Sequence, residues 1–314
     1  MSNFKIRSRC PVCRSESIGL LVDIPYSDPD LSGYLYRYYT CQGHPNFARL
    51  EGEHYRLVMC KNCNLVFQEC IPNEDFLVEL YEIWIDPTII HDMSIDRQFR
   101  ALRLIKRVIQ HIGESSKSID VLDVGMGWGN WLFAARGLGC SIYGLELSPA
   151  RIAFGKANGI KMLGWDELDG RTFDIINCEQ VLEHLEDPRG ALEQMKRCLS
   201  PRGMIIVGVP NVSPLVARLR SGRGVDWSGE MHTRELTNPT EAVTPLEHIN
   251  SFTGQTIRLL ADQCNLREVH FGLGEIIRTT ALDYDSLKDL IKDALKWLGL
   301  VERFPSAVLT HSKP

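Results

Sequence analysis

The 314-residue sequence has no run of about 18 apolar residues, and its charged start, Met1 to Cys10, is followed by no apolar stretch. Neither a membrane span nor a secretory leader is expected, and the chain is read as cytoplasmic. It also lacks an excess of positive charge: 35 Lys and Arg stand against 40 Asp and Glu. A polynucleotide would need a local basic patch, so nucleic acid is disfavoured as a partner. Low hydrophobicity is not among the deficits. With 44% hydrophobic and 24% charged residues, the chain can build one large core plus a small accessory module, which excludes disorder. Grouped cysteines are scarce beyond the N-terminal third, where Cys140, Cys178, Cys198 and Cys264 sit singly in apolar runs and behave as small hydrophobes.

What is present begins with two C-x2-C knuckles, Cys10-Pro11-Val12-Cys13 and Cys60-Lys61-Asn62-Cys63. Two residues between thiols let both sulfurs turn to one point, as a tetrahedral zinc tetrathiolate requires. The second knuckle lies between Tyr55–Met59 and Asn64–Phe67, which reads as the tip of a hairpin. The 46 residues separating the knuckles exceed the usual zinc-ribbon spacing, so a long insertion loops out between them. Disulfides fit poorly with a reducing compartment, and no thioredoxin-like helix follows either pair. The expectation is a closed, structural zinc site. Cys41 and His44, inside the insertion, have ligand chemistry too and compete for a mixed or second site. Tyr34, Tyr36, Tyr38 and Tyr39 near Arg37 read as strand packing, with stacking on a sugar or aromatic substrate as the other reading.

Residues 71–95 form an amphipathic connector. From Asp96 to Ile112, apolar Leu102, Ile105, Val108, Ile109 and Ile112 recur at three and four, a surface helix laid on a core. Ile119–Val124 is a short apolar strand that runs into Gly125-Met126-Gly127-Trp128-Gly129-Asn130-Trp131 and then a helix pattern, the first unit of a doubly wound α/β fold. A dinucleotide fingerprint wants glycine at positions one, three and six. Here they fall at one, three and five, with Asn130 in the sixth place, which suits a nucleoside with an amino-acid tail better than a pyrophosphate. Asp123 is placed to organise the loop or to bind an ammonium group. Glu146, at the tip of the next strand (Ser141–Leu145), suits the two hydroxyls of a ribose.

Val121–Gly129, Glu146-Leu147-Ser148-Pro149 and Phe173–Pro188 resemble the first, second and fourth motifs of class I S-adenosylmethionine-dependent methyltransferases. Leu199–Pro210 resembles that family's helix, proline-glycine turn and fifth strand; His248–Thr253 resembles the entry to the next helix, and Ala307–Pro314 its antiparallel seventh strand. With the knuckles, the chain is similar to bacterial methyltransferases of polysaccharide and natural-product pathways. The resemblance implies an α/β, Rossmann-like seven-stranded sheet, mostly parallel with the last strand antiparallel, beside a zinc-ribbon-like module. It implies that Gly125, Met126, Gly127, Gly129, Asn130 and Trp131 underlie the methionine part of S-adenosylmethionine. Glu146 and Leu147 then hold the ribose end, Trp165 or Asp166 serves near the adenine, and Asp123 and Glu179 complete the site. The expected organisation is a zinc module at 1–75, a helical connector at 76–118 and a methyltransferase domain at 119–314, with a lid at about 211–247.

Methyl transfer from a sulfonium is an in-line displacement, in which the enzyme chiefly aligns the groups in a dry cleft. An alcohol or carbon acid needs a base; an amine or phenolate can react without one. In such sheets the reacting side chains follow the strand ends, so His184 is the first candidate base, Glu183 is expected to face solvent and Gln180 to shape the pocket. His232 and His248 are weaker candidates. Arg218, Arg220 and Arg223 read as a solvated face or as a receptor for a nucleotide-sugar phosphate. The expected acceptor is a small molecule, a sugar or nucleotide-sugar hydroxyl or carbon. A silent methyltransferase-like scaffold docking a partner through its zinc module, or an NAD-binding enzyme, are the alternatives.

Overall fold

The computed structural model describes residues 3–87, 89, 95–113, 119–228, 240–279 and 306–312. The chain forms two compact units, one drawn from 1–91, 182–189 and 209–260, the other from 92–181, 190–208 and 261–314.

The first unit opens with β1 (Phe4–Ile6), β2 (Ile18–Pro25) and α1 (Pro29–Thr40). The Asp28 carboxylate accepts the amides of Asp30 and Leu31 at 3.1 Å each, and Pro29, with no N–H to satisfy, takes the first helical position. Leu31, Tyr34, Leu35 and Tyr39 are buried at helical spacing, so the tyrosine-rich segment is a helix face and not the strand that its alternation suggests. β3 (His54–Cys60) and β4 (Val66–Gln68) form the hairpin expected around the second knuckle, with Met59 opposite Val66. β5 (Cys70–Pro72) pairs with β1. α2 (Glu74–Glu79) then widens into a π turn over Leu80–Trp84, a local irregularity common at functional positions.

The second unit starts with α3 (Ile95–Ile112), whose buried Ala101, Ile105, Val108, Ile109 and Ile112 make it the surface helix expected. There follow β6 (Asp120–Val124), α4 (Asn130–Gly137), β7 (Ser141–Leu145), α5 (Pro149–Ala157), β8 (Lys161–Leu163), β9 (Phe173–Glu179), α6 (Pro188–Arg197) and β10 (Leu199–Gly208). The chain then returns to the first unit through α7 (Ser213–Arg220) and β11 (Asn250–Ser251), and α8 (Gly254–Gln263) leads on to β12 (Leu266–Glu268), α9 (Leu273–Thr279) and β13 (Ser306–His311). The seven-stranded sheet has the order β12-β13-β10-β9-β6-β7-β8. Its members from β10 to β8 pair in parallel, and β13 runs antiparallel to both β10 and β12. This is the sheet the resemblance implies.

Two further expectations are revised. Pro201-Arg202-Gly203 is not a turn before the fifth strand but lies within β10, where the register slips between Leu199 and Met204. The expected boundaries at 75 and 118 do not divide the chain, because residues 209–260 belong with the N-terminal unit. Among the described residues of the expected lid, Val212, Leu215, Trp227, Ala242, Val243 and Leu246 share one apolar core with Tyr39, Tyr55 and Trp84. β11 also adds a fourth strand to the sheet β11-β4-β3-β2. Burying those side chains draws the segment into the N-terminal core.

Candidate functional site

Cys10, Cys13, Cys60 and Cys63 converge. Cys10 and Cys63 Sγ lie 3.5 Å apart, Cys13 and Cys60 Sγ 3.4 Å apart, and all four lie within 4.8 Å of one another. A tetrahedron with metal–sulfur bonds of about 2.3 Å has edges of about 3.8 Å, so the donor set fits a four-coordinate thiophilic ion. No disulfide joins any of the ten cysteines. Both knuckles turn by one device: Arg14 and Asn64, directly after the second cysteine, take φ of 62° and 60° and donate their amides to the Cys10 and Cys60 carbonyls at 2.9 Å. The hydrogen bond from Cys63 pulls the Cys10 thiol well below its usual value. Cys41 and His44 are exposed, and among the described residues neither belongs to a group able to hold a metal.

The glycine loop occupies the second unit. Gly125, Gly127 and Gly129 all have positive φ, which costs other L-residues about 1–2 kcal/mol. A Cβ at Gly125 would fall 2.7 Å from Val181 Cγ2, whereas one at Gly127 would meet nothing within 4 Å. Gly125 is therefore needed for close packing and Gly127 for its backbone angle, with open space above it. Glu146 Oε2 accepts the Gly127 amide at 3.0 Å, and Oε1 accepts the amides of Leu147 and Ser148 at 2.9 and 3.0 Å. Of roughly four lone-pair directions on a carboxylate, one remains for a hydroxyl. Leu147 beside it is 79% exposed, an apolar surface next to that acceptor.

The other expected cofactor residues divide. Asp123 is 3% exposed and accepts from Asn177 Nδ2 at 2.8 Å. Burial pushes it up to about 7 despite the Asn177 bond, and Glu179 and Glu146 push the same way. Its hydrogen bond from Asn177 joins β6 to β9. Met126 is buried beneath the loop, its Sδ 2.6 Å from where a Gly144 Cβ would stand. Trp131 packs in the core, so these two supply backbone and support. Asn130 Oδ1 accepts from Gln98 Nε2 at 3.4 Å. Trp165 is half-buried with its carbonyl bonded to Gln194 Nε2 at 2.8 Å, and Asp166 is exposed. Glu179 ends β9, exposed.

A second constellation lies in the first unit. Glu183, expected to face solvent, is 1% exposed, and neither carboxylate oxygen has a hydrogen-bond partner on another residue; burial pushes it up to about 8. His184 Nδ1 lies 3.1 Å from the Glu247 carbonyl oxygen and 3.0 Å from the Tyr81 hydroxyl, carried by the π turn. His248 Nδ1 lies 2.5 Å from the Glu241 carbonyl oxygen. A carbonyl only accepts, so each imidazole carries its hydrogen on Nδ1 and keeps a lone pair on Nε2. The rings stand 4.9 Å apart. Burial, with His248 adding for His184, holds His184 down at about 3 and His248 at about 4, so both are neutral. Burial raises Glu247 to about 7 against the pull of the Tyr39 and Tyr38 hydroxyls.

Residues far apart in sequence assemble this cluster. Arg7 donates to the Gln68 and Ile249 carbonyls and, at 2.8 Å, to Asn250 Oδ1. Gln68 Nε2 donates to the Thr244 and His248 carbonyls. Asn250 Nδ2 donates to the carbonyls of Leu182 and Leu185, clamping the turn that holds Glu183 and His184. Sequence reasoning missed Arg7, Gln68, Tyr81, Glu247 and Asn250. A polar Gln68 ending the apolar run Leu65-Val66-Phe67 was the available signal. His232 lies outside the described residues. Arg218 Nε and Arg223 Nε bond the Gly224 carbonyl and Ser221 Oγ, closing the turn after α7.

A family model described as a methyltransferase domain matches residues 95–270. The ubiquinone biosynthesis O-methyltransferase of Colwellia psychrerythraea is 23% identical over 164 residues, 45% of this chain and 65% of that protein. The mitochondrial enzyme of the same description from Schizosaccharomyces pombe is 30% identical over 111 residues, 32% of this chain and 40% of that protein. The matched stretch thus spans less than two thirds of either relative. Among solved structures, S-adenosylmethionine-bound CalS10, an amino pentose methyltransferase from Micromonospora echinaspora, is 25% identical with a TM-score of 0.32, covering 35% of this chain and 50% of that one. The plantazolicin methyltransferase BpumL is 16% identical with a TM-score of 0.44, covering 71% and 87%. The family match runs over more than half of the chain and takes in every strand from β6 to β12 with the glycine loop and Glu146: the chain belongs to the methyltransferase-domain family.

Proposed function

We propose that the protein transfers the methyl group of S-adenosylmethionine to a small-molecule acceptor, a hydroxyl or carbon of a sugar or nucleotide-sugar. One observation carries the cofactor choice: the Gly127 amide, which a dinucleotide site would offer to phosphate, is bonded to the Glu146 carboxylate at 3.0 Å. Burial raises the Asp123 carboxyl, and Glu179 and Glu146 stand close enough to it to push it further up. An acidic cradle repels a diphosphate and favours a ligand with a sulfonium and an ammonium group. Bound there, the cofactor supplies an activated methyl carbon. Glu146 would take a ribose hydroxyl on its remaining lone pair, Leu147 would cover the adjoining base, and the open face above Gly127 would accept the methionine part.

A hydroxyl or carbon acceptor must also lose a proton. We assign its removal to His184, with His248 and Tyr81 around it, since neutral imidazoles with unshared Nε2 pairs suit that work. The four thiols are assigned a structural zinc ion, closed to chemistry. Among the described residues no helix is long and apolar enough to cross a membrane, and ten cysteines that form no disulfide support a cytoplasmic setting.

Calorimetry with S-adenosylmethionine, its demethylated product and NAD tests the cofactor choice. Heat with the first two and none with NAD is expected; competition by NAD would overturn it. Transfer of labelled methyl into a panel of sugars and nucleotide-sugars tests the acceptor. Tight cofactor binding with no transfer to any acceptor would favour a silent scaffold.

A further inference from the structure

Glu183, His184 and His248 offer one ligand atom each, and these atoms lie within 4.8 Å of one another. Three independent features of this group are those of a metal centre. The Glu183 carboxylate is buried with no partner on another residue for either oxygen, a situation that ordinarily costs about 1–3 kcal/mol or more and calls for an ion, a water or a functional reason. Each imidazole is anchored by Nδ1 to a backbone carbonyl, His184 to that of Glu247 at 3.1 Å and His248 to that of Glu241 at 2.5 Å. Metal-ligating histidines are oriented in this way, with the second nitrogen left for the ion. The supporting frame is itself built of buried hydrogen bonds: Asn250 holds the turn carrying Glu183 and His184, and Gln68 holds the His248 carbonyl.

The geometry points to a second metal centre, separate from the four thiolates, in which Glu183 and the Nε2 atoms of His184 and His248 bind a divalent first-row transition-metal ion. Two imidazoles and a carboxylate select manganese, iron, cobalt or zinc over calcium or magnesium, and three protein ligands leave coordination positions open. The thiolate site, with four protein ligands, leaves none. An acceptor oxygen taken into an open position would have its pKa lowered by the ion so that its proton passes to water, and the imidazoles, with their Nε2 pairs given to the ion, would hold the ion and not take the proton themselves. This last consequence rests on the methyl-transfer reading; ion binding does not.

Cobalt(II) titration of the chelator-stripped full chain, without cofactor, tests the proposal. Two equivalents are expected. One shows intense thiolate charge-transfer absorption, and the other shows only weak ligand-field bands. Glu183→Gln and His248→Ala should each weaken the second equivalent by roughly 100-fold or more and leave the thiolate bands intact, which reports that the unit still folds. A wild-type chain that stops at one equivalent, or variants that keep both, would overturn it. Should the variants fail to fold, X-ray absorption at the cobalt edge decides on wild type with zinc pre-filling the thiolates: imidazole scattering supports the site, and absence of bound cobalt overturns it. Neither readout depends on methyl transfer.

Discussion

At the scale of single residues, a few side chains hold positions that their neighbours could not. Glu146 takes three backbone amides, and hydrogen bonds to a charged group contribute about 1.5–3 kcal/mol each. Glu146→Ala is therefore expected to weaken S-adenosylmethionine binding by at least about tenfold in calorimetry, because the ribose acceptor goes and the Gly127 amide loses its anchor. An unchanged affinity would remove Glu146 from the cofactor site. Asp123 is the complementary case. Its native value of about 7 stands above the ordinary 3.8, so the folded chain keeps a proton that the unfolded chain gives up. Its contribution is most favourable below pH 4 and declines as pH rises to about 7, above which a buried carboxylate opposes folding in full. Asp123→Asn keeps the oxygen that accepts from Asn177 and cannot ionise. Its melting temperature relative to wild type should be more favourable at pH 8 than at pH 4.5; an equal difference at both would show that Asp123 does not titrate as argued.

Among the elements, the hairpin of β3 and β4 depends on its tip. Cys60 ends β3 and Cys63 lies in the turn, and each meets a partner from the first knuckle, more than 40 residues upstream. Closing so long a loop with an ion removes much unfolded-state freedom. Cys10→Ser with Cys60→Ser is expected to abolish the thiolate bands of the cobalt form and to lower the melting temperature of the zinc form, read by circular dichroism. A chain that loses its thiolate-bound metal and melts unchanged would show that the ion is dispensable for folding. At this scale the sequence was clear where a pattern was local. The knuckles, the strand before Gly125, the periodic helix α3 and the acidic tip of β7 each declare themselves within ten to twenty residues. The tyrosine segment misled because alternate spacing says strand, while Asp28 and Pro29 just ahead of it say helix start, and the cap decides.

For the whole molecule, what matters is which stretches share a core. Trp227 is 5% exposed and packs edge-on against Tyr55 at 5.6 Å and tilted against Tyr34 at 5.2 Å. Trp227→Ala should cost about 3–5 kcal/mol of stability, measured by denaturant unfolding, where a freely moving cover would cost almost nothing. The sequence by itself determined the α/β class, the glycine loop, Glu146 and the four thiols, because each follows from backbone angle, strand period or the reach of two residues. Only the tertiary structure decided that Glu183 is buried beside His184 and His248, that Asp123 faces Asn177, and that residues 209–260 complete the N-terminal unit. Those outcomes turn on hydrogen bonds from Arg7, Gln68 and Asn250 across as many as 243 residues, and no local pattern encodes which distant carbonyl a buried guanidinium or amide will find.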